Sequence, residues 1–307
     1  MSSNTKTLTE GPLAKQIFLV SLPLAFSNLL QVLFNMSDVA VVGRFAGSTA
    51  LGAVGSTSIL VSLFTGFLIG LSGGINVLVA RFYGARHAGD VEKTVHSAAI
   101  VSLIAGVVLL FVGLLGSPFM LRLLNTKEDL LPGAILYLRV YFLGMPALAL
   151  YNFGNAVFSA IGDTKKPLIY LSIAGALNIL LNLFFVIVLK MNVNGVAIAT
   201  VLSNAVSSVL LLRRLLHGDL VRVELRELRI DRNAFNKIMR IGLPAGIQTA
   251  IFSLSNIIIQ SAINSLGTVV MAASSAAFNI EIIAYDVLNS FSQACTCLLY
   301  TSDAADD

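Results

Sequence analysis

Eight long apolar segments constrain this 307-residue chain more than any other feature of its sequence. A transmembrane α-helix needs roughly 20 mostly apolar residues to cross the ~30 Å hydrocarbon layer of a bilayer, and each segment reaches that length. Their hydrophobicity is continuous, whereas the strands of a transmembrane barrel alternate. The sequence therefore predicts an all-α, polytopic membrane protein. The segments cover approximately residues 15–42, 50–80, 94–121, 133–160, 167–189, 193–216, 236–262 and 268–296.

The composition and the distribution of charge agree with a membrane protein. Charged residues make up 12% of the chain, against roughly 25% in soluble domains. The net charge of +4 does not indicate a nucleic-acid partner, because the basic residues are spread over loops on one side. That side holds 15 of the 20 lysines and arginines. By the positive-inside rule we expect a multi-pass protein of the inner (plasma) membrane with a cytoplasmic N-terminus.

The first segment carries a polar stripe in "NLLQVLFNMSD", residues 28–38. Asn28, Gln31, Asn35 and Asp38 recur at helical spacing and fall on one face. A charged side chain at the centre of a span costs about 2.5–3.5 kcal/mol on insertion scales, and burial favours the neutral form of a carboxyl group. Asp38 either lines an internal polar cavity or lies near the outer interface, because Arg44 follows closely. The stripe favours the cavity.

Later segments carry similar stripes, and two of the segments contain a proline. For a single polar side chain, hydrogen bonding between helices is the simpler interpretation, but several stripes together favour a polar cavity. Pro23 and Pro244 each remove a backbone hydrogen bond and are either hinges or static kinks. The remaining candidate cavity residues are Asn152, Asn155, Asn178, Asn182, Thr200, Asn256 and Gln260.

An internal repeat divides the chain. "LPLAFSNLLQVLFN" at 22–35 matches the pattern of "LPAGIQTAIFSLSN" at 243–256, so the seventh segment resembles the first. Duplicated halves are common in secondary transporters. We therefore expect four regions. The second is a polar linker, for which an amphipathic helix on the membrane surface is one interpretation. The four regions are an N-lobe of six helices at 1–216, a cytoplasmic linker at 217–235, the first two helices of a C-lobe at 236–296, and a non-native tail at 297–307.

Five stretches of sequence resemble the multidrug and toxic compound extrusion (MATE) family, in its DinF-like branch. The resemblance implies a twelve-helix antiporter of two six-helix lobes, here truncated at the C-terminus. Such antiporters export organic, often cationic, compounds in exchange for Na⁺ or H⁺. The stretches are the Asp38 helix with "VVGRFAG", "GINVLVARFYGA" (74–85), "AIGDTKKP" (160–167), "NGVAIATVLSN" (194–204) and "GLPAGIQ" (242–248).

The resemblance also implies roles for individual residues. Asp38 matches an ion-responsive aspartate of the first helix, Asn178 an asparagine of the fifth, and Thr200 a threonine of the sixth. These three residues and Asn182 are the expected ion-coupling residues. Some members carry a second carboxylate where this chain has Asn182, so a shared-proton pair is not expected here. The resemblance implies Na⁺ or H⁺ as the coupling ion, with Asp38 as the one possible Na⁺ site. We expect no cofactor, no other metal and no enzymatic activity.

Two alternatives to the antiporter remain open from the sequence. A lipid-linked sugar flippase of the same wider superfamily would carry cationic residues in its cavity, and Arg139 is the one feature that could favour it. An inactive fragment is the other alternative. The expected partners are small organic molecules and membrane lipid, and a full-length protein is expected to be monomeric.

Overall fold

The computed structural model describes residues 13–124, 126–217, 223–224, 226–265 and 268–306. Within these ranges the chain forms nine α-helices and no β-strand, which confirms the predicted all-α fold. A π-helical turn follows α1 and another follows α6, at Val42–Ala46 and Phe184–Val188. The helices are α1 (Leu13–Val41), α2 (Gly47–Gly84), α3 (Ala88–Leu123), α4 (Leu131–Leu143), α5 (Met145–Ala160), α6 (Lys165–Leu183), α7 (Val193–Leu216), α8 (Arg232–Ser265) and α9 (Thr268–Asp306).

Five helices are individually long and apolar enough to cross a membrane, and α4 and α5 together form a sixth, bent span. These six correspond to the first six predicted segments. Parts of α8 and α9 lie outside the residues whose side chains are described, so the seventh and eighth predicted spans stay predictions. A polytopic membrane protein is therefore confirmed, and within the described residues the first six predicted spans meet the requirement. The last helix also runs to Asp306, beyond the predicted end of segment eight.

The fourth predicted span is broken rather than straight. Helices α4 and α5 meet at Gly144 with a bend of 48°. Pro146 lies in the first turn of α5, where it has no N–H to donate and disfavours the helical conformation of Met145. A Cβ added at Gly144 would lie 2.9 Å from a methyl group of Val201, so the bend also brings the backbone against α7.

The two prolines predicted as hinges lie inside continuous helices. Pro23 is buried in α1, where the Ser27 hydroxyl donates to the Pro23 carbonyl at 2.9 Å. Pro244 is exposed on α8. Each ring removes one intrahelical hydrogen bond, which leaves a locally weakened point without breaking the helix. Bending at these positions stays a prediction.

The connection between α7 and α8 contains no helix in its described residues before Arg232. The option of an amphipathic surface helix is therefore wrong for those residues. The backbone N–H of Glu224 donates to Nε2 of His96 at 2.9 Å, and the N–H of Asp231 donates to Oγ of Ser97 at 2.9 Å. Because these donors are bound by side chains of α3, they form no intrahelical hydrogen bonds.

A row of glycines joins α8 to the first six spans. A Cβ added at Gly70 would lie 2.6 Å from the Cα of Gly246, and one at Gly74 would lie 2.5 Å from the backbone nitrogen of Gly242. The backbones of α2 and α8 therefore touch with no side chain between them. Small residues allow this close approach in membrane helices, where packing rather than the hydrophobic effect holds helices together.

We predict that Gly70→Ala and Gly74→Ala each destabilise the protein by about 1–3 kcal/mol, because the new methyl group forces α2 and α8 apart. Gly73→Ala is the matched control on the same helix, since an added Cβ there meets nothing within 4 Å. The control should be neutral, or more stable by up to about 1 kcal/mol. Unfolding of the purified variants in detergent measures the difference. Equal stability of all three variants would show that the seam is not tight.

Candidate functional site

Asp38 is buried near the end of α1, with 8% of its surface exposed. Its carboxylate accepts two hydrogen bonds from other helices. The Nδ2 group of Asn182 on α6 donates to Oδ1, and the hydroxyl of Thr200 on α7 donates to Oδ2 at 3.2 Å. Within the described residues, no lysine, arginine or histidine forms an ion pair with this carboxylate. Its partners in the protein are therefore neutral.

Two asparagines, one turn apart on α6, close the arrangement into a ring. Asn182 Nδ2 also donates to Oδ1 of Asn178 at 3.1 Å, and Asn178 Nδ2 donates to the Thr200 hydroxyl at 3.4 Å. Both asparagines are buried. The structure thus brings together Asp38, Asn178, Asn182 and Thr200, which are the four residues predicted for ion coupling. We call these four residues the Asp38 cluster.

One polar atom of the Asp38 cluster is left over. Oδ1 of Asn182 is buried and has no hydrogen-bond donor among the described residues. The hydroxyl of Thr200 has a single hydrogen and two acceptors, the Asp38 carboxylate and the Val196 carbonyl at 3.0 Å. The cluster is therefore rich in acceptor oxygens relative to its donors. A bound proton or a small cation would supply what is lacking.

Close packing of α1 against α6 determines where the Asp38 cluster forms. Phe34 lies one turn before Asp38, and Gly175 lies three residues before Asn178. A Cβ added at Gly175 would lie 1.8 Å from the Phe34 ring, so the ring fits against α6 because residue 175 is glycine. This contact sets the two helices at the separation that lets Asn182 reach the carboxylate.

Both helices that carry this contact end in a π-helical turn. The turn after α1 begins at Val42 and the turn after α6 begins at Phe184, and the two turns touch each other. Turns of this kind occur mostly as isolated irregularities in helices, frequently at functional sites. Val42 and Val186 of the two turns are buried and belong to the same apolar core cluster.

Two tyrosines of α4, which were not predicted from the sequence, lie within electrostatic range of Asp38. Tyr137 and Tyr141 stack with ring centroids 6.3 Å apart. The Tyr141 hydroxyl is 3.3 Å from the hydroxyl of Thr65 on α2. The spacing of the two tyrosines, four residues apart on one helix face, was the signal that could have found them.

The polar side chains of the predicted stripe on α1 face different helices. Asn28 Nδ2 donates to Oγ of Ser290 at 2.9 Å and to the carbonyl of Asp286 at 3.4 Å, both on α9. Asp38 faces α6 and α7 instead. Gln31, between them, is half-buried. The side chain of Asn35 lies outside the described residues.

The other predicted cavity residues are placed apart from the Asp38 cluster's hydrogen bonds. Asn152 is buried and donates to the Leu148 carbonyl of its own helix at 2.9 Å. Asn155 and Asn256 are half-buried, and the side chain of Gln260 lies outside the described residues. In the part of the chain that the structure describes, no group of three or more histidine, cysteine or acidic side chains could hold a metal ion.

Comparison with known proteins connects this geometry to a family. The sequence profile of the MatE family matches residues 23–184. The chain is 31% identical over 262 residues to the probable multidrug resistance protein YpnP of Bacillus subtilis (strain 168), covering 84% of this chain and 58% of that protein. It is 25% identical over 301 residues to a protein named FAD transporter from Shewanella oneidensis, covering 94% of this chain and 64% of that protein.

A solved structure described as MATE in the bent conformation has the same fold. It superposes on this chain with a TM-score of 0.91 at 26% sequence identity, over 99% of this chain and 68% of the other. The chain therefore spans about three fifths to two thirds of the length of these proteins. Because the family profile covers more than half of the sequence, this chain belongs to the multidrug and toxic compound extrusion (MATE) family.

Proposed function

We propose that this chain contains the ion-coupling part of a secondary active antiporter. Such an antiporter would export small organic compounds across the inner (plasma) membrane in exchange for Na⁺ or H⁺. The observation that carries the proposal is the Asp38 cluster, a buried carboxylate whose partners within the protein are neutral. The relative named as a probable multidrug resistance protein supports efflux as the process.

An ionised Asp38 is costly in its surroundings, because burial removes the carboxylate from water and its hydrogen-bond partners are neutral. A proton removes the charge, and Na⁺ balances it. The ring offers oxygens for a hard cation, namely those of the carboxylate, Thr200 and the unpaired Oδ1 of Asn182. With a single carboxylate, one proton or one Na⁺ suffices for each cycle.

Binding of the ion would change how the three helices are held. When Asp38 is protonated, one of its oxygens becomes a donor and the bond from Asn182 or Thr200 to that oxygen must change. A cation would likewise compete for the oxygens that now accept from Asn182 and Thr200. Either event alters the hydrogen bonds from α1 to α6 and α7. Ion binding thus favours one arrangement of these helices, which is the requirement for coupling it to alternating access.

The substrate is proposed to be an organic cation. The Asp38 carboxylate suits an exchange of substrate for ion, because its negative charge can attract either a cationic substrate or the coupling ion. A flippase for lipid-linked sugars would need cationic side chains at its cavity. Arg139, the one candidate, is exposed on α4 and donates to the Leu114 carbonyl at 3.2 Å. The relative named FAD transporter makes an anionic aromatic substrate the second candidate.

Asp38→Asn should abolish the response to the coupling ion while leaving expression intact, because the amide can neither ionise nor balance a cation. Replacing choline by Na⁺ at constant ionic strength should raise the unfolding temperature of the purified chain by about 2 °C or more. For H⁺ coupling, stability should instead depend on pH. The variant should lose whichever response the parent has, and Asp129→Asn, at an exposed position, should keep it.

Efflux is measured in cells that express the chain, alone or joined to the C-terminal part of the Bacillus subtilis relative. Ethidium tests a cationic substrate, and FAD tests an anionic one. Equal efflux by the parent and Asp38→Asn at equal protein level would contradict a coupling role. Export of FAD without export of ethidium would replace the proposed substrate class.

Asn178→Ala should impair transport at least tenfold more than Ser172→Ala. Asn178 is buried in the Asp38 cluster and donates to Thr200. Ser172 lies on the same helix, but its hydroxyl donates only to the Leu168 carbonyl at 2.8 Å, one turn earlier. The comparison is made on transport rates at matched expression. Similar losses in both variants would indicate that α6 contributes packing rather than coupling.

A further inference from the structure

A second polar site lies at the opposite end of the helices from the π-helical turns. It is a cavity of about 130 Å³ where α2 ends, α3 begins and the chain enters α8. This volume is roughly ten times what one water molecule needs. By the predicted orientation the cavity opens to the cytoplasm. Its lining includes Phe82, Asp90, Lys93, Thr94, Asp231 and Lys237.

The α8 side of this cavity is held in place by the first six spans. The Asp231 N–H donates to Ser97 of α3 at 2.9 Å, and the Asp231 carboxylate accepts from the N–H of Ala234 at 2.9 Å, capping α8. The Lys237 ammonium lies 5.1 Å from the centre of the Phe82 ring on α2. Asp231 and Lys237, the charged residues on the α8 side, are therefore held by contacts with α3 and α2.

One residue that lines the cavity carries an unsatisfied polar group. Thr94 is fully buried, and its hydroxyl has no hydrogen-bond partner among the described residues. Buried hydroxyls are usually paired, because leaving one unpaired costs about 1–3 kcal/mol.

The charges of the cavity select the class of ligand. Asp90 and Lys93 form an ion pair at 3.8 Å on α3, and Asp231 and Lys237 bring one charge of each sign from the α8 side. A simple anion would meet two carboxylates, and a metal cation would meet two ammonium groups. A ligand with both signs of charge can satisfy both pairs.

We propose that this cavity binds a zwitterion that joins a phosphate to a primary ammonium, the chemistry of phosphoethanolamine. Its phosphate would accept from Lys93 and Lys237, and its ammonium would donate to Asp90. A lipid headgroup and a free molecule both present this chemistry, and the recognition is the same for either source. Because α3 and α8 both line the cavity, the bound ligand stabilises the packing of α8 on the first six spans.

The test measures the affinity of the purified chain for five probes by calorimetric titration in detergent. The probes are O-phosphoethanolamine, inorganic phosphate, ethanolamine, phosphocholine and a short-chain phosphatidylethanolamine. We expect phosphoethanolamine to bind at least tenfold more tightly than phosphate or ethanolamine alone. Phosphocholine should also bind more weakly, because its quaternary ammonium has no N–H to donate.

Variants connect the affinity to the cavity. Asp90→Asn and Lys237→Gln should each weaken phosphoethanolamine binding about tenfold. Both side chains are partly or fully exposed, so the fold should persist, and the unfolding temperature checks this. Lys127→Gln, at an exposed position between α3 and α4, is the control and should bind as the parent does.

Each outcome decides one part of the proposal. Tighter binding of the short-chain lipid than of the free zwitterion would assign a lipid source, and equal binding would assign recognition to the headgroup alone. Phosphate binding as tightly as phosphoethanolamine would overturn the proposal in favour of a plain anion site. No binding by any probe, or equal binding by the Asp90→Asn variant, would also overturn it.

Discussion

The rest of this structure depends on one buried carboxylate. Asp38 lies inside an apolar helix, where an isolated charge is unfavourable, so neutral donors of two other helices approach it. This requirement ties α1 to α6 and α7 through side chains rather than through apolar contact alone. Under the proposed function, this polar ring has two states, with and without a bound ion. The same feature that specifies the packing therefore also makes it adjustable.

Glycines decide how near these helices can come. Gly175 admits the Phe34 ring next to the Asp38 cluster, and the glycines of α2 and α8 let two backbones touch. In a membrane the apolar faces of helices gain little free energy by leaving lipid. Close packing of complementary surfaces therefore contributes more to helix association than the hydrophobic effect does. Two helices whose backbones touch directly can pack in few alternative ways. These contacts form a rigid frame around the Asp38 cluster, whose hydrogen bonds change in the proposed function.

The two polar sites differ in a way that follows from where they lie. The Asp38 cluster is enclosed by apolar helices and has one carboxylate with neutral partners. The cavity near Asp231 is open, and its charges of both signs are partly exposed. Enclosure suits a proton or a small ion, whereas the open cavity suits a larger zwitterion. The connection into α8, held by His96 and Ser97, joins that cavity to the frame of the first six spans.

The sequence by itself determined the all-α membrane fold and the first six spans, because length and hydrophobicity decide whether a helix can cross a bilayer. It also predicted Asp38 as the centre of a polar site. Resemblance to the family then predicted Asn178 and Thr200 as further ion-coupling residues, and the structure shows how they contact Asp38 and Asn182. The tertiary structure alone decided that Asn28 faces α9, that the fourth span bends at Gly144, and that two tyrosines join the site. Helical spacing tells which residues share a face, but the partner of that face depends on how whole helices pack.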